Sequence, residues 1–99
     1  MEYAGRKISV PTGGEAKDAI TVLPHHLDAN HHVNNGQYVA MALEFLPEGS
    51  VVKQLRAEYR KQAFLGNTIV PYVAAEDTRS VVALQDESGK AYAVVVFEI

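Results

Sequence analysis

The segment NGQYVAMALEFLPEG, residues 35–49, places the strongest constraint on the fold. Asn34 or Asn35 can cap the first turn of a helix here. Pro47 and Gly49 can end that helix. Apolar residues lie on every side of it, which predicts burial on every side, and it is too short to supply the roughly 20 residues of a membrane helix. The rest of the chain must therefore wrap around it.

β-rich stretches make up much of the remaining chain. They are 18–24, 50–64, 68–76, 79–86 and 90–99. The first stops at Pro24, and Pro71 indicates an edge or a bulge in the third. The sequences LGN and ESG are typical turns, and the second predicts a hairpin. The order is one strand, one helix and four strands in a meander, which predicts an α+β layer architecture.

Length and composition predict one domain. The chain has 99 residues, of which 47% are hydrophobic, so it can build one modest core. Residues 1–16 combine the strand-like RKISVP with the Gly-rich TGGEAK. We expect 1–16 to be a strand plus a flexible lead-in or inter-domain linker, and 17–99 to be the main body.

Charge and cysteine content exclude several classes of function. The net charge of -3 argues against a nucleic-acid binder, which normally has a basic face. The absence of cysteine excludes disulfides, thiolate zinc sites and cysteine nucleophiles. The N-terminal sequence lacks the apolar region of a signal peptide, and no apolar run is long enough for a membrane helix. We therefore expect a cytoplasmic protein.

The polar sequence HHLDANHHVNN, residues 25–35, contains all four histidines of the chain. Three interpretations are open. It is a solvated loop with Asx-turns, a metal site, or a catalytic loop that leads into the helix. Adjacent histidines point in different directions, and no established ligand spacing is present, so the pattern disfavours a metal.

The catalytic interpretation depends on the helix that follows. A helix N-terminus offers free backbone N–H groups and a partial positive charge, which suit an oxyanion. Asp28 and His32 precede it and are candidates for acid–base chemistry. Gly36 has no side chain and allows a ligand to approach the backbone.

Two motifs resemble those of one enzyme family. LDANHHVNNGQYVAMALEFLP resembles the D-x-N-x-H-V-N-N-x-x-Y segment of acyl-ACP thioesterases, and LRAEYRKQAFLGNTI is similar to their second motif. The resemblance covers about residues 4–99 and corresponds to the C-terminal, catalytic half of the family. It implies a hotdog fold, in which a long antiparallel β-sheet wraps around one central apolar helix.

The resemblance also implies roles for individual residues. The implied catalytic residues are Asp28, Asn30 and His32. The implied substrate- or oxyanion-binding residues are Asn34, Asn35, Gly36 and Gln62. Gln62 and Ala63 stand where the plant enzymes have a glutamate and a cysteine. Gln62 does not titrate, so it can only orient a water or a substrate oxygen.

The implied function is hydrolysis of fatty acyl thioesters, most of all acyl-ACP, in fatty acid biosynthesis, with no cofactor and no metal. The implied partner is an acyl carrier protein, which is acidic. A basic group can steer it, namely Lys53, Arg56, Arg60 and Lys61. We also expect a homodimer or pairing with an N-terminal hotdog module. The alternatives are an acyl-CoA thioesterase and a non-catalytic module for acyl binding or dimerisation.

Side chains on the apolar face of the helix and strands offer a slot for the acyl chain. The candidates are Tyr38, Met41, Phe45 and Tyr59. The same side chains are also what an ordinary core requires, so both interpretations stay open.

Overall fold

A computed structural model describes residues 10–11, 13–29 and 31–99. The described residues form one α-helix, six β-strands and a short 3-10 turn. In chain order these are β1 (Glu15–Ala16), β2 (Ile20–Thr21), the 3-10 turn (Pro24–His26), α1 (Asn35–Leu43), β3 (Gln54–Tyr59), β4 (Thr68–Ala75), β5 (Arg79–Gln85) and β6 (Ala91–Glu98). Most of the strand-like RKISVP lies outside the described residues. In the described part of the chain, no helix is long and apolar enough to cross a membrane.

The strands pair antiparallel in the order β1-β4-β5-β6-β3, and β2 also pairs with β4. The last three strands form the predicted meander, with a tight turn whose Gly89 adopts the left-handed φ of 93°. The prediction that β3 starts this meander is wrong, because β3 pairs with β6 from Gln54↔Glu98 to Tyr59↔Ala93. The other edge of the meander, along β4, is already occupied by β1 and β2.

Pro71 lies where the pairing along β4 changes from β1 to β2. Ala16 pairs with Tyr72 and Ile20 pairs with Ile69, so the outer strand gains one residue relative to β4. The Lys17 N–H donates to the Pro71 carbonyl at 2.7 Å, and the proline needs no acceptor of its own because it has no N–H. The predicted irregularity at Pro71 is therefore present. Part of TGGEAK, expected as a loop, is the strand β1.

The helix packs one face on the sheet. Tyr38, Met41 and Ala42 are buried there, whereas Leu43 is 44% exposed. The expectation that α1 is buried on every side is therefore wrong for this chain, because one sheet covers only one face of a helix. The helix also ends at Leu43, before Pro47, and turns follow it.

Strands β5 and β6 are buried on both faces. The face toward the helix contributes Val82, Leu84, Val95 and Phe97 to the main core. The opposite face forms a second cluster, against which Val10 and Tyr72 pack. Burial on both faces explains why these strands are almost continuously apolar instead of alternating. The rigid sheet thus gives the helix and its preceding loop a fixed base.

Candidate active site

A cavity of about 560 Å³ opens where the polar loop, the start of α1 and the end of β3 meet. Its wall consists of Asp28, His32, Val33, Asn34, Asn35, Tyr38, Tyr59, Arg60, Lys61 and Gln62. Two segments that are far apart in sequence therefore form one site. The local backbone contacts show how the fold brings them together.

The polar loop is closed by its own backbone. The Asp28 N–H donates to the His32 carbonyl at 2.9 Å, and the His31 N–H donates to the Asp28 carbonyl at 3.0 Å. His31 takes a left-handed φ of 66°, which is uncommon for a residue other than glycine. This tight turn brings Asp28 and His32 to the same cavity.

His26 anchors the beginning of the loop. Its Nδ1 accepts a hydrogen bond from the Leu23 N–H at 2.9 Å, and its carbonyl accepts one from the Asn34 N–H at 3.1 Å. Burial, with a smaller contribution from neighbouring His25, lowers the pKa of His26. The ring is therefore held neutral, as an acceptor at Nδ1 requires. His26 supports the site from outside the cavity wall.

The second segment is held against the loop by three contacts. The Val33 N–H donates to the Ala63 carbonyl at 3.0 Å, and the Ala63 N–H donates to the Tyr38 hydroxyl at 3.0 Å. His32 pairs across a bridge with Phe64, and their rings meet edge-on with centroids 5.6 Å apart. These contacts place Gln62 in the wall that also contains Asp28.

A bulge at the end of β3 turns the chain toward the cavity. The N–H groups of Arg60 and Lys61 both donate to the Tyr92 carbonyl, at 2.8 and 3.3 Å. The two residues after β3 therefore face one residue of β6, which ends the regular ladder and redirects the side chains that follow. Gln62 comes directly after this bulge.

The start of α1 closes the site from the other side. Asn34 caps the helix, and its Oδ1 accepts from the Gly36 N–H at 2.8 Å. Gly36 does not line the cavity, and this bond occupies its amide. Asn35 does line the cavity, and no acceptor for its N–H is found among the described residues. Of the three predicted backbone donors at the helix start, Asn34 donates to His26 and Gly36 donates to Asn34, so the Asn35 N–H alone has no acceptor among the described residues.

Tyr38 is a site residue whose part in the polar wall the sequence did not reveal. Its side chain is 2% exposed, and burial raises the pKa of its hydroxyl, which therefore stays protonated. The residue also belongs to the core, as one of its two interpretations expected. Its position one helical turn after the Asn34 cap was the available signal, since residues four apart share a helix face.

The cavity thus contains five of the predicted site residues, namely Asp28, His32, Asn34, Asn35 and Gln62. Gly36 lies outside the cavity wall, and Asn30 lies outside the described residues. Among the residues that the structure describes, no group of three or more potential ligands could hold a metal ion. A carboxylate, an imidazole, an amide side chain and a helix N-terminus therefore share one opening, a combination suited to acyl transfer to water.

Comparison with known proteins agrees with this combination. A family model described as the acyl-ACP thioesterase C-terminal domain matches residues 11–95. The chain belongs to this family. No curated protein sequence matches the chain.

Several solved structures share the fold of this family member. An acyl-ACP thioesterase from Bacteroides thetaiotaomicron is 14% identical with a TM-score of 0.74, covering 92% of this chain and 42% of that one. A 12:0-ACP thioesterase from Umbellularia californica is 23% identical with a TM-score of 0.75, covering 94% and 37%. A Streptococcus mutans protein bound to acetyl CoA is 17% identical with a TM-score of 0.65, covering 92% and 90%. The chain thus spans about two fifths of the two acyl-ACP thioesterases.

Proposed function

We propose that the chain hydrolyses fatty acyl thioesters, with acyl-ACP as the favoured substrate and a free fatty acid as the product. The observation that carries the proposal is the single cavity shared by Asp28, His32, Gln62 and the start of α1. Membership of the acyl-ACP thioesterase family supports the same reaction. Release of free fatty acids would belong to fatty acid biosynthesis.

In the proposed reaction, water attacks the thioester carbonyl carbon. Asp28 accepts the proton of that water, and Gln62 orients it. The carbonyl oxygen becomes negative in the tetrahedral intermediate and lies over the Asn35 N–H, where the helix N-terminus stabilises it. Collapse of the intermediate breaks the carbon–sulfur bond, and the thiolate takes a proton from His32.

A second route uses the same groups. Asp28 attacks the carbonyl directly and forms an anhydride, which water then hydrolyses. Both routes need the Asp28 carboxylate, and in both Asn30 is proposed to add a side-chain donor for the substrate oxygen. Incorporation of labelled oxygen into the Asp28 carboxylate in a single turnover would distinguish direct attack from general-base catalysis.

The carrier is proposed to approach the basic residues of β3 and its bulge. Lys53 and Arg56 are exposed there. Arg60 is paired with Glu58 at 3.1 Å, and Lys61 is paired with Asp86. Exposed positive charge along this edge suits an acidic carrier protein. Its long-range attraction would raise the association rate, and salt would weaken it.

We further propose that the chain pairs with a second hotdog unit, either another copy or an N-terminal module. β3 is an edge strand next to exposed apolar side chains, with Val51 72% and Leu55 40% exposed. The exposed side of α1 at Leu43 also needs cover. Such edges and apolar patches are common at interfaces. Sedimentation of the purified chain would report a dimer if the partner is another copy.

The test of the proposed function is thiol release from acyl-ACP and acyl-CoA by the parent chain and by Asp28→Asn. We expect a loss of about 10²–10⁴-fold in the variant, the usual contribution of a general base. Asp18→Asn is the matched control, because Asp18 is exposed and does not line the cavity. Full activity of Asp28→Asn would contradict the assignment.

The same assay separates the alternatives. A higher kcat/KM for acyl-CoA than for acyl-ACP would make CoA the carrier. Tight binding of acyl-ACP without thiol release would identify a non-catalytic acyl-binding module, and the hydrolase proposal would be wrong.

A further inference from the structure

A second cavity, of about 520 Å³, lies at the end of β3 and the β5–β6 turn. Among the described residues, its polar wall contains Arg60, Lys61 and Lys90, together with the neutral Gln85, and no carboxylate. We call this opening the basic cavity. A chain of net charge -3 has thus collected three cations in one concave surface. Such a surface favours an anion, because its charges act together on a group that enters it.

The wall of the basic cavity is a fixed structure. Asp86 accepts hydrogen bonds from the Ser88 N–H at 2.8 Å, the Ser88 hydroxyl at 2.7 Å and the Lys90 N–H at 2.9 Å. It also pairs with the Lys61 ammonium group, which lies 4.8 Å from the centroid of the Tyr92 ring. The Lys61 ammonium, with the serine and lysine donors, holds the pKa of Asp86 well below its usual range. The Asp86–Lys61 ion pair therefore connects the β5–β6 turn to the end of β3.

Lys61 and Lys90, which both contact Asp86, differ in what their ammonium groups already bind. Lys61 is occupied by Asp86, whereas the Lys90 ammonium forms no ion pair with any described residue. Lys90 is also exposed. It is thus the group best able to accept a new anionic partner, and it lies beside Lys61 and Arg60, whose own charges are paired with Asp86 and Glu58.

The basic cavity adjoins the candidate active site. Arg60 and Lys61 line both cavities, because the bulge at their N–H groups places them between the two openings. A ligand with its reacting group beside Asp28 can therefore extend past these two residues toward Lys90. The chemistry of the basic cavity then specifies an anionic group at the far end of that ligand.

We propose that the basic cavity binds the phosphate at the end of the pantetheine arm that carries the acyl group. This inference rests on the proposed function, since it assigns the non-reacting end of the same substrate. A pantetheine thioester has its sulfur at one end and its phosphate at the other, joined by a flexible, largely uncharged arm. The phosphate is common to a carrier protein's phosphopantetheine and to CoA.

The kinetic test compares acyl-pantetheine with acyl-phosphopantetheine, which differ in the phosphate alone. In the parent chain, we expect kcat/KM to be about tenfold higher for the phosphorylated substrate, equivalent to roughly 1.4 kcal/mol. In Lys90→Gln, this ratio should fall toward one. Lys17→Gln is the matched control, because Lys17 neighbours β1 at the opposite edge of the sheet and pairs with Glu15. Its ratio should equal that of the parent.

Calorimetric binding of phosphopantetheine and pantetheine gives a readout that does not depend on turnover. Tighter binding of phosphopantetheine that weakens in Lys90→Gln supports the inference, even if no thioester is hydrolysed and the proposed function fails. Equal binding of the two compounds, or no change in Lys90→Gln, overturns the inference, even if hydrolysis is fast.

Two further substrates separate the sources of the phosphate. A similar loss of kcat/KM on acyl-ACP and acyl-CoA in Lys90→Gln supports recognition of the phosphate next to pantetheine. A loss on acyl-CoA alone would assign the basic cavity to the additional phosphates of the nucleotide, and the pantetheine assignment would be wrong.

Discussion

The β5–β6 hairpin and the polar loop at residues 25–35 are built in opposite ways. In the hairpin, the strands pair along their whole length, and Val81 to Leu84 and Ala91 to Phe97 are buried. In the loop, His25 and His31 are exposed, and a few backbone hydrogen bonds fix the chain. The hairpin therefore provides stability, and the loop provides the groups that we propose to act on a substrate.

This difference makes the two regions separable by substitution. Removing a buried hairpin side chain should lower the free energy of unfolding and leave no specific effect on chemistry. Removing a polar group from the loop should alter the reaction while the fold stays nearly as stable, because exposed polar side chains contribute little to stability. The Asp28→Asn variant represents the second case, because the half-buried Asp28 side chain is replaced by one of the same size.

The largest expected effect on stability comes from deleting a phenylalanine side chain in the hairpin, compared with one that packs beside the loop. Phe97 on β6 is fully buried, whereas Phe64 beside His32 is 49% exposed. Phe97→Ala should lower the free energy of unfolding by about 3–5 kcal/mol, the usual loss for a buried phenylalanine. Phe64→Ala should lower it by roughly 1 kcal/mol, because only about half of its surface is buried.

Urea unfolding of both variants measures this contrast. Equal losses in the two variants would mean that packing against the loop stabilises the fold as much as packing within the hairpin does, and the division of roles would not hold.

An intermediate effect on stability is expected at Tyr38, which belongs both to the core and to the wall of the candidate active site. Its hydroxyl accepts the Ala63 N–H at 3.0 Å, so Tyr38→Phe leaves a buried amide without an acceptor. This should lower the free energy of unfolding by about 1–3 kcal/mol. Tyr92→Phe is the control, because the Tyr92 hydroxyl makes no hydrogen bond to a described residue. Urea unfolding checks both, and a Tyr38→Phe variant as stable as the control would show that this bond is dispensable.

The hairpin was predictable because its determinants are local. Apolar β-forming runs on both sides of ESG specify two strands and their turn. Helix α1 was predictable for a similar reason, since the Asn34 cap and the apolar run adjoin in sequence. The position of β3 was not predictable in this way, because it depends on which sheet edge the other strands leave open.

The candidate site divides along the same line. Asp28 and His32 could be identified from the motif, and their proximity follows from a tight local turn. The approach of Gln62 requires the contacts of Val33 and Tyr38 with Ala63, which join distant parts of the chain. The basic cavity likewise joins the end of β3 to the β5–β6 turn, so no single stretch of sequence indicated it.

The smallest expected effect is the pH dependence that His26, at the start of the polar loop, gives to the free energy of unfolding. Burial lowers the pKa of His26, so the folded chain binds a proton less readily than the unfolded chain, whose histidine titrates near about 6.5. The contribution of His26 to the free energy of unfolding is therefore fully present above that pH. It is lost as the pH falls below it, because the unfolded state takes up the proton first. The loss cannot exceed about 1.4 kcal/mol per pH unit, the slope for one proton.

Urea unfolding between pH 8 and pH 5 of the parent chain and of His26→Gln measures this contribution. A glutamine does not titrate, so the variant should lose less stability than the parent on acidification. His31→Gln is the control, because His31 is exposed and does not contribute to the lowered pKa of His26, so this variant should follow the parent. If His26→Gln shows the same acid dependence as the parent, proton uptake at His26 does not weaken the fold. The loop would then depend on its backbone hydrogen bonds in the same way at every pH in the range.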